Sequence, residues 1–376
     1  MRSGETDTVS GSANPLTPFR DSARVAALRD SIAELAARLL RPVRLMEVCG
    51  THTMSAARTG LHSLLPESVR LTSGPGCPVC VTAPGYVVAS CDLARRPEVI
   101  ITTFGDMLRV PGGGRTLEEE SAKGADVRVV YSPLDALETA ENHPEKCVVF
   151  LGVGFETTAP TVAASILEAR ERNLRNYSVF AAHKTMPEAM RALLEAEDLA
   201  IDGFLCPGHV SVITGSDLYR FIVEEYAVPC AVTGFEPVEI LLGVEALLRC
   251  LVEGRAEVVN VYRRAVRASG NIHAKKILEA VFEPCDSEWR GIGVIPRSGL
   301  AIREEFSDYD AARRFGVEIP SIPVPKACIC GEVLRGAMEP TECRLFGEAC
   351  TPTRPIGPCM VSSEGACAAA YKYGPA

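Results

Sequence analysis

No apolar run in the 376 residues approaches the roughly 18 that would cross a bilayer, so no membrane partner is expected. The first twenty residues, MRSGETDTVSGSANPLTPFR, lack the apolar core of a secretory signal, which points to a cytoplasmic protein. Positive charge is also short. Lys and Arg number 39 against 48 Asp and Glu, a net charge of −9. Wrapping a phosphate backbone takes clustered cations, so nucleic acid is not an expected partner. The run Gly112–Gly114 lacks the Gly-Lys-Ser/Thr ending of a phosphate cradle and reads as a loop or hinge. The C-x3-C-x2-C triplet of radical enzymes is absent too.

What the sequence has is sulfur and core. At 47% hydrophobic residues the chain is globular, and its length predicts about two to three domains. Fifteen cysteines in a reducing compartment argue against a disulfide framework and for metal or redox chemistry.

Residues 1–20 are polar and Ser/Thr/Gly-rich, and are expected to be mobile. Val25, Leu28, Ile32, Leu35 and Leu39 then recur at helical spacing, with Asp21 or Ser22 as the cap and Pro42 as the stop. Short Val/Ile/Leu runs follow, each closed by a Gly or Pro turn and usually a helical stretch. One set is Val43–Cys49, Val69–Ser73, Val99–Thr103 and Val127–Tyr131. A second is Cys147–Val153, Ser178–Ala182, Gly203–Cys206 and Cys230–Thr233. Strand alternating with helix predicts parallel sheets covered on both faces. The expected fold is therefore α/β: two Rossmann-like parallel-sheet domains at 21–135 and 136–240, then a helical and Cys-rich third domain at 241–376.

In open parallel sheets, ligands bind beyond the carboxyl ends of the strands. The segments in that position hold Cys49 and His52, Cys77 and Cys80, Glu156, His183, His209 and Glu236. Turns are ordinarily rich in Gly, Ser and Thr, which does not account for so many thiols, imidazoles and carboxylates. Cys77-x-x-Cys80 can close a small disulfide ring or hold one edge of a metal. A structural zinc site needs a second such pair, and only Cys49 is an obvious third thiol in this half. Glu156 and Glu236 sit in Gly-Phe-Glu at helix starts, where a carboxylate is ordinarily a cap. His183 and His209 could be acid–base groups or metal ligands, but taken singly each is more readily a hydrogen-bonded framework residue.

The tail carries Cys328, Cys330, Cys343, Cys350, Cys359 and Cys367 in a Pro/Gly-rich, weakly periodic stretch. Thiolates at wide spacing suit an iron–sulfur cluster, whereas zinc sites show paired short spacings. Four of the six would be ligands, and two would be left as a redox pair. Spacing does not say which.

Six segments together resemble the HypD family of [NiFe]-hydrogenase maturation proteins. They are CGTHTM (49–54), GPGCPVCVT (74–82), GFETT (154–158), PGHVS (207–211), GFEP (234–237) and WRGIGVIPRSGL (289–300). The resemblance runs from about residue 21 to the end. Ala83 stands where proline is expected, with Pro84 one position later. The resemblance implies a scaffold and redox protein on which a transient Fe(CN)2CO group is assembled. It implies a HypC-type chaperone that shares the iron and a HypE-type cyanide donor. The hydrogenase large subunit is then served indirectly, by a protein that is monomeric when free.

It further implies a [4Fe–4S] cluster on a C-x14-C-x6-C-x16-C pattern, which here is Cys328, Cys343, Cys350 and Cys367. Cys330 and Cys359 are then the redox pair. Cys49 would anchor the iron, and Cys77 and Cys80 would relay electrons. His52, Glu156, His209 and Glu236 would line the cleft as proton donors or partners to the cyanide nitrogens. Two other readings compete: an iron–sulfur-dependent thiol–disulfide oxidoreductase unrelated to hydrogenase, and a structural zinc protein.

Overall fold

Runs such as Val99–Thr103 and Gly203–Pro207 are buried along their whole length, as strands covered on both faces must be. The computed structural model describes residues 16–196 and 199–374. Its strands are β1 (Val43–Glu47), β2 (Val69–Ser73), β3 (Val99–Thr103), β4 (Val127–Val129), β5 (Cys147–Gly152) and β6 (Tyr177–Ala181). They continue as β7 (Gly203–Pro207), β8 (Cys230–Thr233), β9 (Val258–Asn260), β10 (Phe282–Trp289) and β11 (Gly293–Ile302). Each apolar run of the sequence is a strand here, with ends shifted by no more than about two residues.

The α/β expectation holds: β1 to β9 form two parallel sheets. Their membership differs from the expected halves 21–135 and 136–240. One sheet has the order β2-β1-β7-β8-β9, and the other β4-β3-β5-β6. The chain leaves the first sheet after β2, builds the whole second sheet, and returns at β7. Apolar runs identify strands, but nothing local in a parallel strand names its partner. Within each sheet the strand order doubles back between its first and third members. The switch points are therefore β1/β7 and β3/β5, where doubly wound folds bind ligands.

The opening helix, Ser22–Ala36, is capped by Asp21, which accepts from the amides of Ala23 and Arg24. It ends well before Pro42, which instead leads into β1. Of the segment expected to be mobile, residues 1–15 lie outside the described residues. Thr17–Phe19 forms a 3-10 turn, and Arg20 pairs with Glu236 at 2.5 Å, so this part of the expectation is corrected. Among the described residues no helix is long and apolar enough to cross a membrane.

The hairpin β10–β11 was not foreseen. It is antiparallel and lies along the second sheet, its Phe282, Leu300 and Ile302 in one core with Phe150 and Tyr177. Lys184 fastens it, donating from Nζ to Ser287 Oγ at 2.8 Å and to the Glu288 carbonyl at 2.7 Å. The C-terminal segment has two short helices, Cys330–Leu334 and Ala366–Tyr373, joined by irregular chain.

Candidate functional site

The switch point of the five-stranded sheet is built around Cys49. β1 ends at Glu47, and Cys49 is the N-cap of the helix Gly50–Thr59. Burial pushes the Cys49 thiol up to about 12, and the nearby Glu364 carboxylate adds to this. Hydrogen bonds from the first turn, at His52 and Thr51, act in the opposite direction. At rest this sulfur is therefore a thiol, which must lose its proton to become a ligand.

His52 Nε2 lies 2.9 Å from the Gly234 carbonyl and 2.8 Å from Thr233 Oγ1, while Nδ1 is buried without a partner. Burial holds the ring down at about 4, so it is neutral. With Nε2–H donated to Gly234, Nδ1 is left as an acceptor. Phe235 packs against both histidines of this end, with ring centroids 4.9 Å from His52 and 4.0 Å from His209. His183, by contrast, is a core residue buried against Phe282.

Two carboxylates at this point went unnoticed in the sequence. Glu364 accepts from Thr51 Oγ1 at 2.5 Å, and its backbone is so close that a Cβ on Gly50 would meet its carbonyl oxygen at 2.5 Å. Glu47 is fully buried. Its Oε2 accepts from Thr53 Oγ1 at 2.8 Å, its Oε1 has no partner, and burial raises its carboxyl to about 8. The position of Glu364 three residues before Cys367 is the only sequence signal for it. Glu47 reads simply as part of a strand.

The Gly74–Cys80 loop lies directly on Cys49. The Gly74 amide donates to the Glu47 carbonyl at 2.7 Å, and the Gly50 amide donates to the Gly76 carbonyl at 3.0 Å. Cys77 and Cys80 form a disulfide with Cα atoms 5.2 Å apart, and both are buried. Three sulfurs called from sequence thus stand on two touching segments.

The second switch point faces the same region. Phe155 shares a core cluster with Val48, Cys77, Cys80 and Trp289, and stacks on the indole at 5.9 Å. Next to it, Glu156 Oε1 accepts from the Met186 amide at 2.8 Å. Its Oε2 is buried without a partner, and burial raises the carboxyl to about 7. Glu236 behaves differently from the expectation for it. It is the N-cap residue of the helix Pro237–Val252, and its carboxylate takes two hydrogen bonds from Arg20, which hold it below the usual carboxylate range. A carboxylate committed in this way is no proton donor near neutrality.

All six tail cysteines line one small cavity, with Ile329, Leu345, Phe346 and Met360 among its walls. Cys330 and Cys359 lie deepest, at 2% and 1% exposure, and belong to the same core cluster as Cys77 and Cys80. The Cys359 thiol is within hydrogen-bonding reach of both Cys330 and Cys367. Among the described residues no three His, Cys, Asp or Glu side chains converge on a single-ion site. A cubane takes one thiolate per iron, so its ligands stand apart around a volume. Sulfur donors spread around an apolar cavity fit such a cluster better than one zinc ion.

The hairpin tip joins the two sulfur groups. Trp289 pairs with Thr82, and the Arg290 amide donates to the Val81 carbonyl at 2.9 Å. On its other side Gly291, at φ +74°, lies against Gly331, where a Cβ would meet the Gly331 Cα at 2.5 Å.

The chain is thus a two-sheet parallel α/β protein with Cys49 and a Cys77–Cys80 disulfide together at one switch point, beside a cysteine-lined cavity. The family model HypD, described as "Hydrogenase formation hypA family", matches residues 23–374. A hydrogenase maturation factor HypD of Azotobacter vinelandii is 49% identical over 363 residues, 95% of this chain and 96% of that protein. The Escherichia coli K12 hydrogenase maturation factor HypD is 45% identical over 349 residues, 92% of this chain and 93% of that one. A putative hydrogenase expression/formation protein of Methanocaldococcus jannaschii is 41% identical over 357 residues, 94% and 98% of the two chains. The chain belongs to the HypD family of hydrogenase maturation factors.

Proposed function

We propose that this maturation factor is the scaffold on which the Fe(CN)2CO group is assembled, with Cys49 as its anchor. The observation that carries the reading is the position of Cys49: an N-cap thiol at a switch point, in backbone contact with the loop of a Cys77–Cys80 disulfide. Iron bearing cyanide and carbon monoxide is the cargo here, and soft thiolate suits it. A HypC-type chaperone shares the iron, and a HypE-type protein delivers cyanide.

The chain's own groups divide the work. Helix-start donors at Thr51 and His52 point to the Cys49 sulfur and stabilise it once its proton has gone. Neutral His52 and the exposed His209 stand at the same strand ends and supply polar partners for cyanide nitrogens. Closing a Cys77/Cys80 dithiol to the disulfide releases two electrons and two protons to the cyanide transfer. Reopening it takes up the same number. Glu156, with its carboxyl near neutrality and one oxygen unpartnered, holds or yields one of those protons.

Cys328, Cys343, Cys350 and Cys367 would hold a [4Fe–4S] cluster, which when bound supplies one electron at a time. Cys330 and Cys359, buried between that cavity and the disulfide's core cluster, relay the charge as a thiol pair. An oxidoreductase acting on free protein dithiols would need an open sulfur. Cys77 and Cys80, at 3% and 0% exposure, are closed to such substrates.

The test is infrared spectroscopy on the protein copurified with its small partner. Cyanide and carbon monoxide stretches on one iron are expected. Cys49→Ala should lose them while visible absorption from the cluster persists. Retention of the stretches in that variant removes Cys49 as the anchor.

A further inference from the structure

Arg290 is only 2% exposed, yet among the described residues no carboxylate pairs with it. One Nη donates to the Pro111 carbonyl at 2.9 Å, and Nε is buried with no acceptor. The guanidinium is also within hydrogen-bonding reach of the Cys330 sulfur. The backbone holds it there from both sides. Its amide is bonded to Val81, one residue from Cys80, and the next residue, Gly291, is pressed onto Gly331 beside Cys330.

A guanidinium keeps its charge in a protein interior, and a buried charge without a counter-charge is costly. The fold tolerates Arg290 only if an anion comes to it. Besides the Pro111 carbonyl, the group within its reach is the Cys330 sulfur at the wall of the tail cavity. A cubane on four thiolates is anionic and gains one further negative charge on reduction. Potentials of such clusters follow net charge and hydrogen bonds to sulfur, and Arg290 supplies both.

We infer that Arg290 is a positioning residue for the tail centre: its buried positive charge beside Cys330 raises the reduction potential of the cluster held there, so that the cluster is more readily charged with an electron. The inference rests on the cluster reading above. It does not depend on which protein delivers cyanide.

The experiment is an anaerobic redox titration of the full chain, followed by electron paramagnetic resonance and visible absorption. Wild type, Arg290→Gln and Arg290→Lys are compared at matched iron and sulfide content. Arg290→Gln should shift the cluster midpoint to a more negative potential. Arg290→Lys, which keeps the charge, should restore it most of the way. An unshifted Arg290→Gln midpoint with the cluster intact overturns the inference and leaves the proposed function standing. A wild-type chain that takes up no cluster overturns both. If Arg290→Gln does not fold, Arg290→Met, which also removes the charge but keeps the long stem, is read in the same way: a negative shift supports the inference, and an unshifted midpoint overturns it.

Discussion

Gly76 lies so close to Cys49 that a Cβ on it would overlap the Cys49 backbone nitrogen and Cα. Its φ is not in the left-handed region, so what the position requires is space. Hydrogen at 76 is what lets the disulfide loop lie on the N-cap. Gly76→Ala should therefore push the loop from Cys49 and cost about 1–3 kcal/mol of stability. Denaturant melts would read the cost. Infrared spectra of the copurified complex should show loss of bound iron, although every reactive side chain remains.

Glu47 makes stability fall with pH. Its folded-state carboxyl is held at about 8 by burial, against 4.5 ordinarily. The native chain binds that proton more tightly than the unfolded chain does. The contribution is thus fully present below about pH 4.5 and is lost as pH rises through about 8. The ceiling on the total loss across this range is about 5 kcal/mol. Glu47→Gln should flatten it and gain on wild type most above pH 8. Thermal midpoints of both proteins from pH 5 to 9 would check this, and parallel curves would contradict it.

Glu236→Ala should leave iron binding intact. It stands at the N-cap, and its carboxylate is taken up by Arg20, whose side chain is 54% exposed. Losing an N-cap and a surface pair should cost about 1–2 kcal/mol. Infrared stretches as strong as wild type, with a lowered melting temperature, are the expected result.

The six tail thiols should separate into two classes. Serine at Cys328, Cys343, Cys350 or Cys367 should lower iron and sulfide content and bleach the visible absorption. Serine at Cys330 or Cys359 should keep the colour. In those two variants the Cys77–Cys80 disulfide should stay oxidised when the cluster is reduced, read by thiol alkylation and mass spectrometry. Uniform cluster loss at all six positions would remove the relay.

Strand positions were legible because a buried parallel strand is a bare apolar run, and the reactive residues were legible because they follow those runs. Strand pairing was hidden. Val43–Glu47 pairs with Gly203–Pro207 across the whole second sheet, and neither run carries a mark of the other. The hairpin escaped notice because its charged and polar residues, such as Glu283, Asp286 and Ser287, break any apolar alternation. Glu364 was missed for a different reason: its meaning lies in a contact with Gly50 and Thr51, more than 300 residues away in sequence. Glu236 shows the reverse error. Its motif copies that of Glu156, but Arg20 stands beside only one of them.

The excursion between β2 and β7 has a consequence for biogenesis. Cys49 leaves the ribosome early, yet Phe235, which packs on His52, and Glu364, whose charge acts on Cys49, are synthesised progressively later. A nascent chain carries this thiol for most of its synthesis without the residues that come to surround it. The helix Ala366–Tyr373 docks against Gly50–Thr59, so the surroundings of Cys49 are complete only when late-made chain has folded onto early-made chain.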